Sequence, residues 1–422
     1  MRPVVALLFA TKYWPSPEEL RLAVSEMESR MSPLPVVPVI DGKWEGEETH
    51  EGDLLIAVPM SGAVQPQLLA LAARFSRVVL YAGYVAGNVS GALSDRMLTA
   101  NAAPTLMDTY ATLRRERPDR VSLCITHEDL ESLLSLSEAV GRVRGAKLLL
   151  IGAVEPWVVS PSRDLSLYQR QLGITVEQVP LEALLSLYDK TEDRDAERLY
   201  TYFSDAVPTE DTPPLAELRA ACRMGAALLT LLERHGASGA ALACFDLIAK
   251  TATSACLAAS YINGETPYFM ACEGDLDSAV TMLLLRAVTD AAPFMANPSL
   301  GRDGTVSFSH CTAPLCAVGG RSAYTLLCHH ETGKSVSPAV SLPEGAEVTL
   351  VRYGSVQNRL TLSLGTTVTN RVEPTCRTRV MVRPQDLAHY LDTVLGCHQV
   401  LVFAPVADRV AILARMLGVE VC

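Results

Sequence analysis

The sequence has no apolar run long enough to span a membrane and no basic stripe of the kind that binds nucleic acid. The first apolar stretch, residues 2–10, is too short for a span and has no signal-peptide cleavage site, so it predicts a strand. The net charge of -11 disfavours a phosphate-binding surface. We therefore expect a soluble protein with neither membrane nor nucleic-acid partners.

The sequence also has no Cys-x-x-Cys pair, although it contains 11 cysteines. Most of them lie in apolar runs, as Cys244 and Cys256 do. This pattern is typical of buried reduced thiols and not of a disulfide framework, and it favours the cytoplasm.

Common catalytic and nucleotide-binding motifs are missing as well. No Gly-x-Ser-x-Gly elbow nominates a hydrolase serine. Gly333-Lys334-Ser335 resembles the end of a phosphate loop, but Cys328 occupies the position of the earlier glycine. The glycines of residues 84–91 do not have the spacing of a dinucleotide-binding turn.

The pattern of apolar residues predicts an α/β fold class. Up to about residue 290, short β-rich runs alternate with amphipathic helices, which indicates parallel sheets. After about residue 300, short β-branched runs are separated by Gly, Pro and Asn, which is typical of an antiparallel barrel. We predict two flavodoxin- or Rossmann-like parallel-sheet domains, 1–143 and 144–290, and a C-terminal β-barrel-containing domain, 291–422. Residues 242–247 are predicted to form a strand of the central domain.

One stretch, residues 269–316, collects acidic residues, a histidine and a cysteine around a single predicted helix. Glu273 follows a predicted strand, at the sheet edge where α/β proteins bind ligands, so it is a candidate metal ligand or base. A solvated cap residue is the alternative. Asp275 and Asp277 suit the positive end of the following helix.

Four segments resemble, in order and spacing, the metal-site segments of the L-fucose isomerase and L-arabinose isomerase superfamily. They are Ala271-Cys-Glu-Gly-Asp, Phe294-Met-Ala-Asn, Ser309-His-Cys-Thr-Ala-Pro and Gly396-Cys-His-Gln-Val-Leu-Val. The runs Ala243-Cys-Phe-Asp-Leu and Thr253-Ser-Ala-Cys-Leu-Ala are similar to the shorter, fucose-isomerase-like branch. The first domain matches this superfamily only in its general sequence pattern and not in specific motifs.

The resemblance implies a metal-dependent aldose-ketose isomerase that converts a monosaccharide through an enediol. It implies a divalent cation, usually manganese, at the junction of the central and C-terminal domains, and a homo-oligomer, a trimer or hexamer. Glu273 matches a residue that is both metal ligand and catalytic base, and His310 and His398 match histidine ligands. Oxygen and imidazole donors without cysteine suit Mn²⁺ or another divalent cation.

The sequence departs from this superfamily at the second carboxylate, where Ala296 or Asn297 takes its place. Asn297 is predicted to bind substrate, because its amide offers an oxygen to a ligand but cannot accept a proton. Three outcomes stay open: Glu273 moves the proton alone, Asp275 supplies the second catalytic carboxylate, or the chemistry is lost. In the last case the chain is a non-catalytic sugar- or metal-binding protein on an isomerase scaffold.

Other residues near these segments have two interpretations. His398 is followed by Gln399, where the superfamily often has a second histidine, so the register there is open. Trp157 lies at a strand exit, where it either stacks on a sugar or packs in the protein. His310 is otherwise a satisfied core histidine and Cys311 a packed thiol. His329 and His330 lie on a predicted loop of the β domain, where they either reach a substrate or, as we expect, form an exposed pair.

Overall fold

The computed structural model describes residues 5–11, 14, 16–44, 52–118, 120–369 and 375–422. The chain divides into two compact units, Met1–Glu138 and Ala139–Cys422. Among the helices described, none combines the length and the apolar character that a membrane span requires.

The first unit contains a six-stranded sheet with the strand order β3-β2-β1-β4-β5-β6. All neighbouring strands are parallel except β3, which pairs antiparallel with β2. The elements are β1 (Val5–Ala10), α1 (Pro17–Met31), β2 (Val36–Ile40), β3 (Lys43–Trp44), β4 (Gly52–Pro59), α2 (Gln65–Ala72), β5 (Phe75–Tyr81), α3 (Gly91–Thr99), α4 (Ala102–Glu116), β6 (Val121–Cys124) and α5 (His127–Arg144), which runs across the border between the units.

Helices cover both faces of this first sheet. Along β1, Leu8 belongs to one buried core, whereas Leu7 and Phe9 belong to the other. In β4, Ile56 and Leu55 divide in the same way. Successive side chains of a strand point to opposite faces of the sheet. A strand whose residues are all apolar therefore has both faces buried. The continuous apolar runs of the sequence therefore have a direct structural cause.

The second unit begins with a four-stranded parallel sheet, ordered β10-β9-β7-β8. Its elements are β7 (Lys147–Ile151), α6 (Ser166–Leu172), β8 (Thr175–Val179), α7 (Leu181–Tyr188), α8 (Glu197–Tyr202), α9 (Leu215–His235), β9 (Gly239–Leu242), α10 (Cys244–Thr251), α11 (Cys256–Glu265), β10 (Phe269–Ala271) and α12 (Leu276–Val288). A 3-10 turn, Asp193–Ala196, precedes α8.

The strand predicted over residues 242–247 is wrong. Strand β9 ends at Leu242, and α10 begins at Cys244. Within α10 the buried residues are Cys244, Leu247 and Ile248, which lie on one face of a helix. A short apolar run can form a strand or a helix. Here the buried residues have the spacing of a helix.

The rest of the second unit is built around a closed antiparallel barrel of six strands. The remaining elements are β11 (Phe294–Leu300), β12 (Val306–His310), β13 (Tyr324–Leu327), β14 (Ser337–Val340), β15 (Glu347–Gly354), β16 (Arg359–Val368), β17 (Thr378–Pro384), α13 (Leu387–Asp392), β18 (Gln399–Val402), α14 (Ala407–Met416) and β19 (Glu420–Val421). The pairing runs β15-β18-β11-β12-β17-β16, and β16 pairs back with β15 to close the barrel. The predicted fold class is therefore confirmed.

The parallel sheet and the barrel lie within one compact unit. The border predicted at residue 290 falls between α12 and β11, inside this unit, and the border predicted at residue 143 falls within α5. Helix α12 packs against β9 and β10 of the sheet and against β15 and β18 of the barrel. Nearly all of its residues are buried, as expected of a helix covered on every side.

Candidate metal centre

Glu273, two residues after the end of β10, is held in an unusual backbone conformation. Its φ is 58° and that of Gly274 is 64°, so both residues are in the left-handed region. A side chain at Gly274 would bring a Cβ to 2.6 Å from the Cα of Val154, so only glycine fits. Left-handed backbone at a residue other than glycine costs on the order of 1–3 kcal/mol and occurs preferentially at functional sites.

Three of the predicted residues converge. Oε1 of Glu273 lies 3.4 Å from Nε2 of His398 and 3.9 Å from Nε2 of His310. The three donor atoms lie within 4.8 Å of one another. His310 ends β12, and His398 immediately precedes β18, so the barrel supplies both histidines and the parallel sheet supplies the carboxylate. All three residues are buried.

The second nitrogen of each histidine has a partner of its own. Nδ1 of His398 lies 2.8 Å from Oδ2 of Asp275, and Nδ1 of His310 lies 2.9 Å from the Thr312 hydroxyl. Metal-bound histidines show this arrangement, in which the outer nitrogen is fixed and the inner one faces the ion. The geometry is therefore that of a site with two imidazoles and one carboxylate, in which a divalent cation can bind.

Asp275 joins the centre to a buried ion pair. Arg352 donates from Nη1 to Oδ2 of Asp275 at 2.7 Å, and both side chains are fully buried. Asp275 also caps α12, because its Oδ1 accepts from the backbone N–H of Ser278. Asp275 was predicted to be a catalytic carboxylate. In the structure its oxygens already bind the N-terminus of α12, Arg352 and His398.

The charges of the centre depend on one another. Burial acts to raise the pKa of Glu273, but the hydrogen bond from His398 and the nearby imidazole of His310 outweigh it and hold the pKa well below its ordinary value. Burial also acts to raise the pKa of Asp275, and the Arg352 charge and the His398 hydrogen bond reverse the shift. For His398, burial lowers the pKa, whereas hydrogen bonding to Asp275 raises it well above the usual range. Both carboxylates are consequently ionised.

Asp277, on the first turn of α12, does not reach the donor atoms. Its carboxylate accepts a hydrogen bond from the Tyr168 hydroxyl at 2.8 Å and one from the backbone N–H of Ser355 at 3.1 Å. Burial raises the pKa of Asp277, although the charge of Arg352 opposes the shift. These contacts give Asp277 a structural role.

Trp157 contacts the predicted base directly. Its Nε1–H donates to Oε2 of Glu273, with 2.6 Å between the two atoms. The indole meets the ring of Phe245 edge to face, with 5.1 Å between the ring centres, and about half of the residue stays exposed. Trp157 therefore orients one carboxylate oxygen, while the other oxygen faces the histidines. Its predicted contact with a sugar stays a prediction.

Asn297 lies beside these donors. It belongs to β11, where it pairs with Ser309 of β12, and it lines a pocket together with Glu273 and His310. The cavity volume is about 20 Å³. A cavity needs roughly 10–15 Å³ to hold one water molecule, so this one accommodates an ion or a water but not a sugar ring.

The expectation of an exposed pair at 329 and 330 is wrong for His329. This residue is buried and lines the same pocket. Its Nδ1 lies 3.0 Å from the Thr332 hydroxyl, and its ring meets Phe245 with 5.7 Å between ring centres. The polar residues around it in the sequence indicate a loop, but the loop folds inward between β13 and β14.

Sequence reasoning also missed Arg352 and the neighbouring thiols of Cys256, Cys311 and Cys376. Arg352 interrupts the apolar strand β15, and a charged residue in such a run is a signal that could have been used. The three thiols come from distant parts of the chain and meet only in the fold.

No known protein family matches this chain, and no curated protein matches its sequence. The resemblance to the L-fucose and L-arabinose isomerases therefore depends only on the short sequence segments quoted above.

Proposed function

We propose that this protein is an aldose-ketose isomerase that acts on a monosaccharide and requires a divalent cation. The observation that carries the proposal is the convergence of Glu273, His310 and His398 on one ion-sized space. These residues come from three of the four segments that resemble the isomerase superfamily.

The donor set fits a divalent cation. It consists of one carboxylate and two imidazole nitrogens, and it includes no sulfur. Such donors suit Mn²⁺ or a similar ion, and we propose Mn²⁺. When bound, the cation would polarise the carbonyl and hydroxyl oxygens of the sugar and so make the adjacent C–H more acidic.

The residues of the chain would then move the proton. Glu273 lies at the ion-sized space and would accept the proton from C2 and return it at C1. The indole N–H of Trp157 fixes the orientation of Glu273. We propose that Asp275 acts as a positioning residue through His398, because its oxygens already bind Arg352, Ser278 and His398.

A second candidate function is the binding of a metal or a sugar without catalysis. Two observations favour it: Asn297 stands where the superfamily has an acid, and the pocket volume is only about 20 Å³. Isomerisation requires ring side chains such as Phe245 to move and admit the substrate. A binding protein for a metal ion alone requires no such movement.

Assembly and location belong to the same proposal. The resemblance implies a cyclic homo-oligomer, a trimer or hexamer, and this stays a prediction. All 11 cysteines are free thiols, which suits a reducing compartment, so we propose the cytoplasm.

The test combines metal analysis with an assay of the purified full-length protein. The metal-stripped protein is given Mn²⁺ and a panel of aldoses, and ketose formation is measured. Turnover that requires Mn²⁺ supports the isomerase. If no aldose turns over, yet Mn²⁺ or a sugar raises the melting temperature, the binding protein is the correct alternative.

A further inference from the structure

Three thiols of the second unit meet beside the candidate metal centre. Cys256 begins α11, Cys311 follows β12, and Cys376 shortly precedes β17. They form a buried cluster of their own, with exposed fractions of 5%, 2% and 8%. Cys311 was expected to be a packed thiol, but its neighbours are other sulfur atoms and not only apolar side chains.

A carboxylate completes this thiol cluster. The Cys376 thiol donates to Oε1 of Glu331 at 3.2 Å. The sulfur atoms of Cys311 and Cys376 and a carboxylate oxygen of Glu331 lie within 4.8 Å of one another. Cys256 belongs to the same buried cluster as Cys311 and Cys376, which places the third thiol next to this group.

The spacing is close to that of a metal site. Four donors arranged tetrahedrally at about 2.3 Å from an ion lie roughly 3.8 Å from one another. The donor atoms of Cys311, Cys376 and Glu331 are within 4.8 Å of one another, which is close to that separation, and Cys256 packs against them as the fourth candidate ligand. The four donors come from α11, from the segment after β12, from the β13–β14 loop and from the segment before β17.

The surroundings of Glu331 suit a ligand role. Nε2 of His329 lies 3.3 Å from Oε2 of Glu331, so the imidazole holds the oxygen that does not contact Cys376. The Glu331 side chain is 41% exposed, which gives an ion a route from solvent. A thiol is only a weak hydrogen-bond donor, so the contact with Cys376 stabilises the carboxylate far less than a cation would.

The chemistry of these donors differs from that of the first centre. Sulfur ligands select zinc and other thiophilic ions, whereas carboxylate and imidazole ligands suit Mn²⁺. His310 and Cys311 are consecutive and both line the pocket. The pocket is thus lined both by nitrogen and oxygen donors of the first centre and by the sulfur donors of the thiol cluster.

We propose that Cys256, Cys311, Cys376 and Glu331 bind a second divalent cation, of the thiophilic class represented by Zn²⁺. Each thiol releases its proton to solvent as its sulfur-metal bond forms, and no electron is transferred. The site does not depend on whether the protein isomerises sugars.

The test is a titration of the metal-stripped, reduced full-length protein with Co²⁺. Thiolate ligands give Co²⁺ an intense sulfur-to-metal charge-transfer band, which nitrogen and oxygen ligands do not produce. We expect this band to saturate at about one Co²⁺ per chain, as the single cluster requires, and to disappear when Zn²⁺ is added. It should persist in Glu273→Gln, which alters only the first centre. If the reduced wild type shows no such band, the proposal is wrong.

Variants locate the ligands. Loss of a residue that only orients a ligand weakens metal binding by about 10–100-fold, so Cys376→Ala should weaken Co²⁺ binding by more than about 100-fold. The matched control is Cys222→Ala, which removes another buried thiol, on α9, and should leave the affinity unchanged. If circular dichroism shows that Cys376→Ala is unfolded, Glu331→Gln at the exposed rim replaces it. Wild-type affinity in the folded variant would overturn the assignment.

Discussion

The indole N–H of Trp157 donates a hydrogen bond to Oε2 of Glu273, with 2.6 Å between nitrogen and oxygen. The Oε1 atom of the same carboxylate faces His310 and His398. A half-exposed ring therefore controls the orientation of a buried carboxylate of the candidate metal centre.

Trp157→Phe removes this hydrogen bond but retains an aromatic ring against Phe245. We expect Mn²⁺ affinity to fall by about 10–100-fold, as is typical when the partner of a metal ligand is removed. Calorimetric titration measures the affinity, and an unchanged melting temperature shows that the fold is intact. Unchanged affinity would mean that Trp157 only packs.

Glu273→Gln keeps the shape of the side chain and removes its charge. If the protein is an isomerase, turnover should fall by about 10²–10⁴, the usual effect of losing a general base. The matched control is Glu177→Gln, because Glu177 lies on β8, at the opposite edge of the same parallel sheet, where it pairs with Lys147 of β7. Activity that survives in Glu273→Gln would show that another residue is the base.

Asn297→Asp adds a carboxylate to the pocket that Glu273 and His310 line. More negative charge among the ligands strengthens the binding of a hard cation, so Mn²⁺ affinity should rise by about tenfold or more. If the protein is an isomerase, turnover should rise with it, because the superfamily that the segment resembles has an acid here. Asn297→Ser, which is polar but uncharged, is the control and should not gain affinity. Equal affinities for the two variants would contradict the prediction.

Arg352→Met leaves the fully buried carboxylate of Asp275 without its main counter-charge. Removing one partner of a buried ion pair costs about 3–5 kcal/mol, so the free energy of unfolding should fall by this amount. On the neighbouring strand, Arg359 pairs with Glu420 in solvent, and Arg359→Met should cost less than about 1 kcal/mol. Urea unfolding compares the two variants, and similar losses would disprove the structural importance of Arg352.

Asp205 provides a test of pH dependence. Hydrogen bonds from Arg321 and the Tyr324 hydroxyl lower the pKa of Asp205 to about 2. A lowered carboxyl pKa stabilises the folded state above the unfolded pKa of about 3.9, and this contribution disappears as the pH falls towards 2. Because the side chain is 62% exposed, Asp205→Asn should cost less than about 1 kcal/mol at pH 7. The difference from wild type should shrink between pH 5 and pH 3, and a constant difference would contradict the assignment.

The fold class could be predicted because the pattern of apolar residues changes clearly along the sequence, from strands alternating with helices to short strands alone. Runs such as Leu7–Phe9 are apolar on both faces, as buried parallel strands require, and the later strands are short and separated by turn residues. The error at residues 242–247 arose where a strand and a helix follow each other within one apolar run. Periodicity cannot separate two elements that are each so short.

The candidate centre could be predicted only in part. Glu273 was recognisable from its place after a strand, and the histidines only from the resemblance. The pairing of Asp275 with Arg352 joins α12 to β15, and the meeting of Cys311 with Cys376 joins two barrel strands. Such contacts depend on tertiary packing, which local sequence patterns do not predict.

The left-handed backbone of Glu273 has a consequence for protein engineering. At this φ, glycine or asparagine would relieve the strain, so selection for thermal resistance alone would replace the glutamate. A library screened in this way would give more stable proteins that lack one carboxylate of the candidate metal centre. A glutamate retained at this position would reveal that function was also being selected.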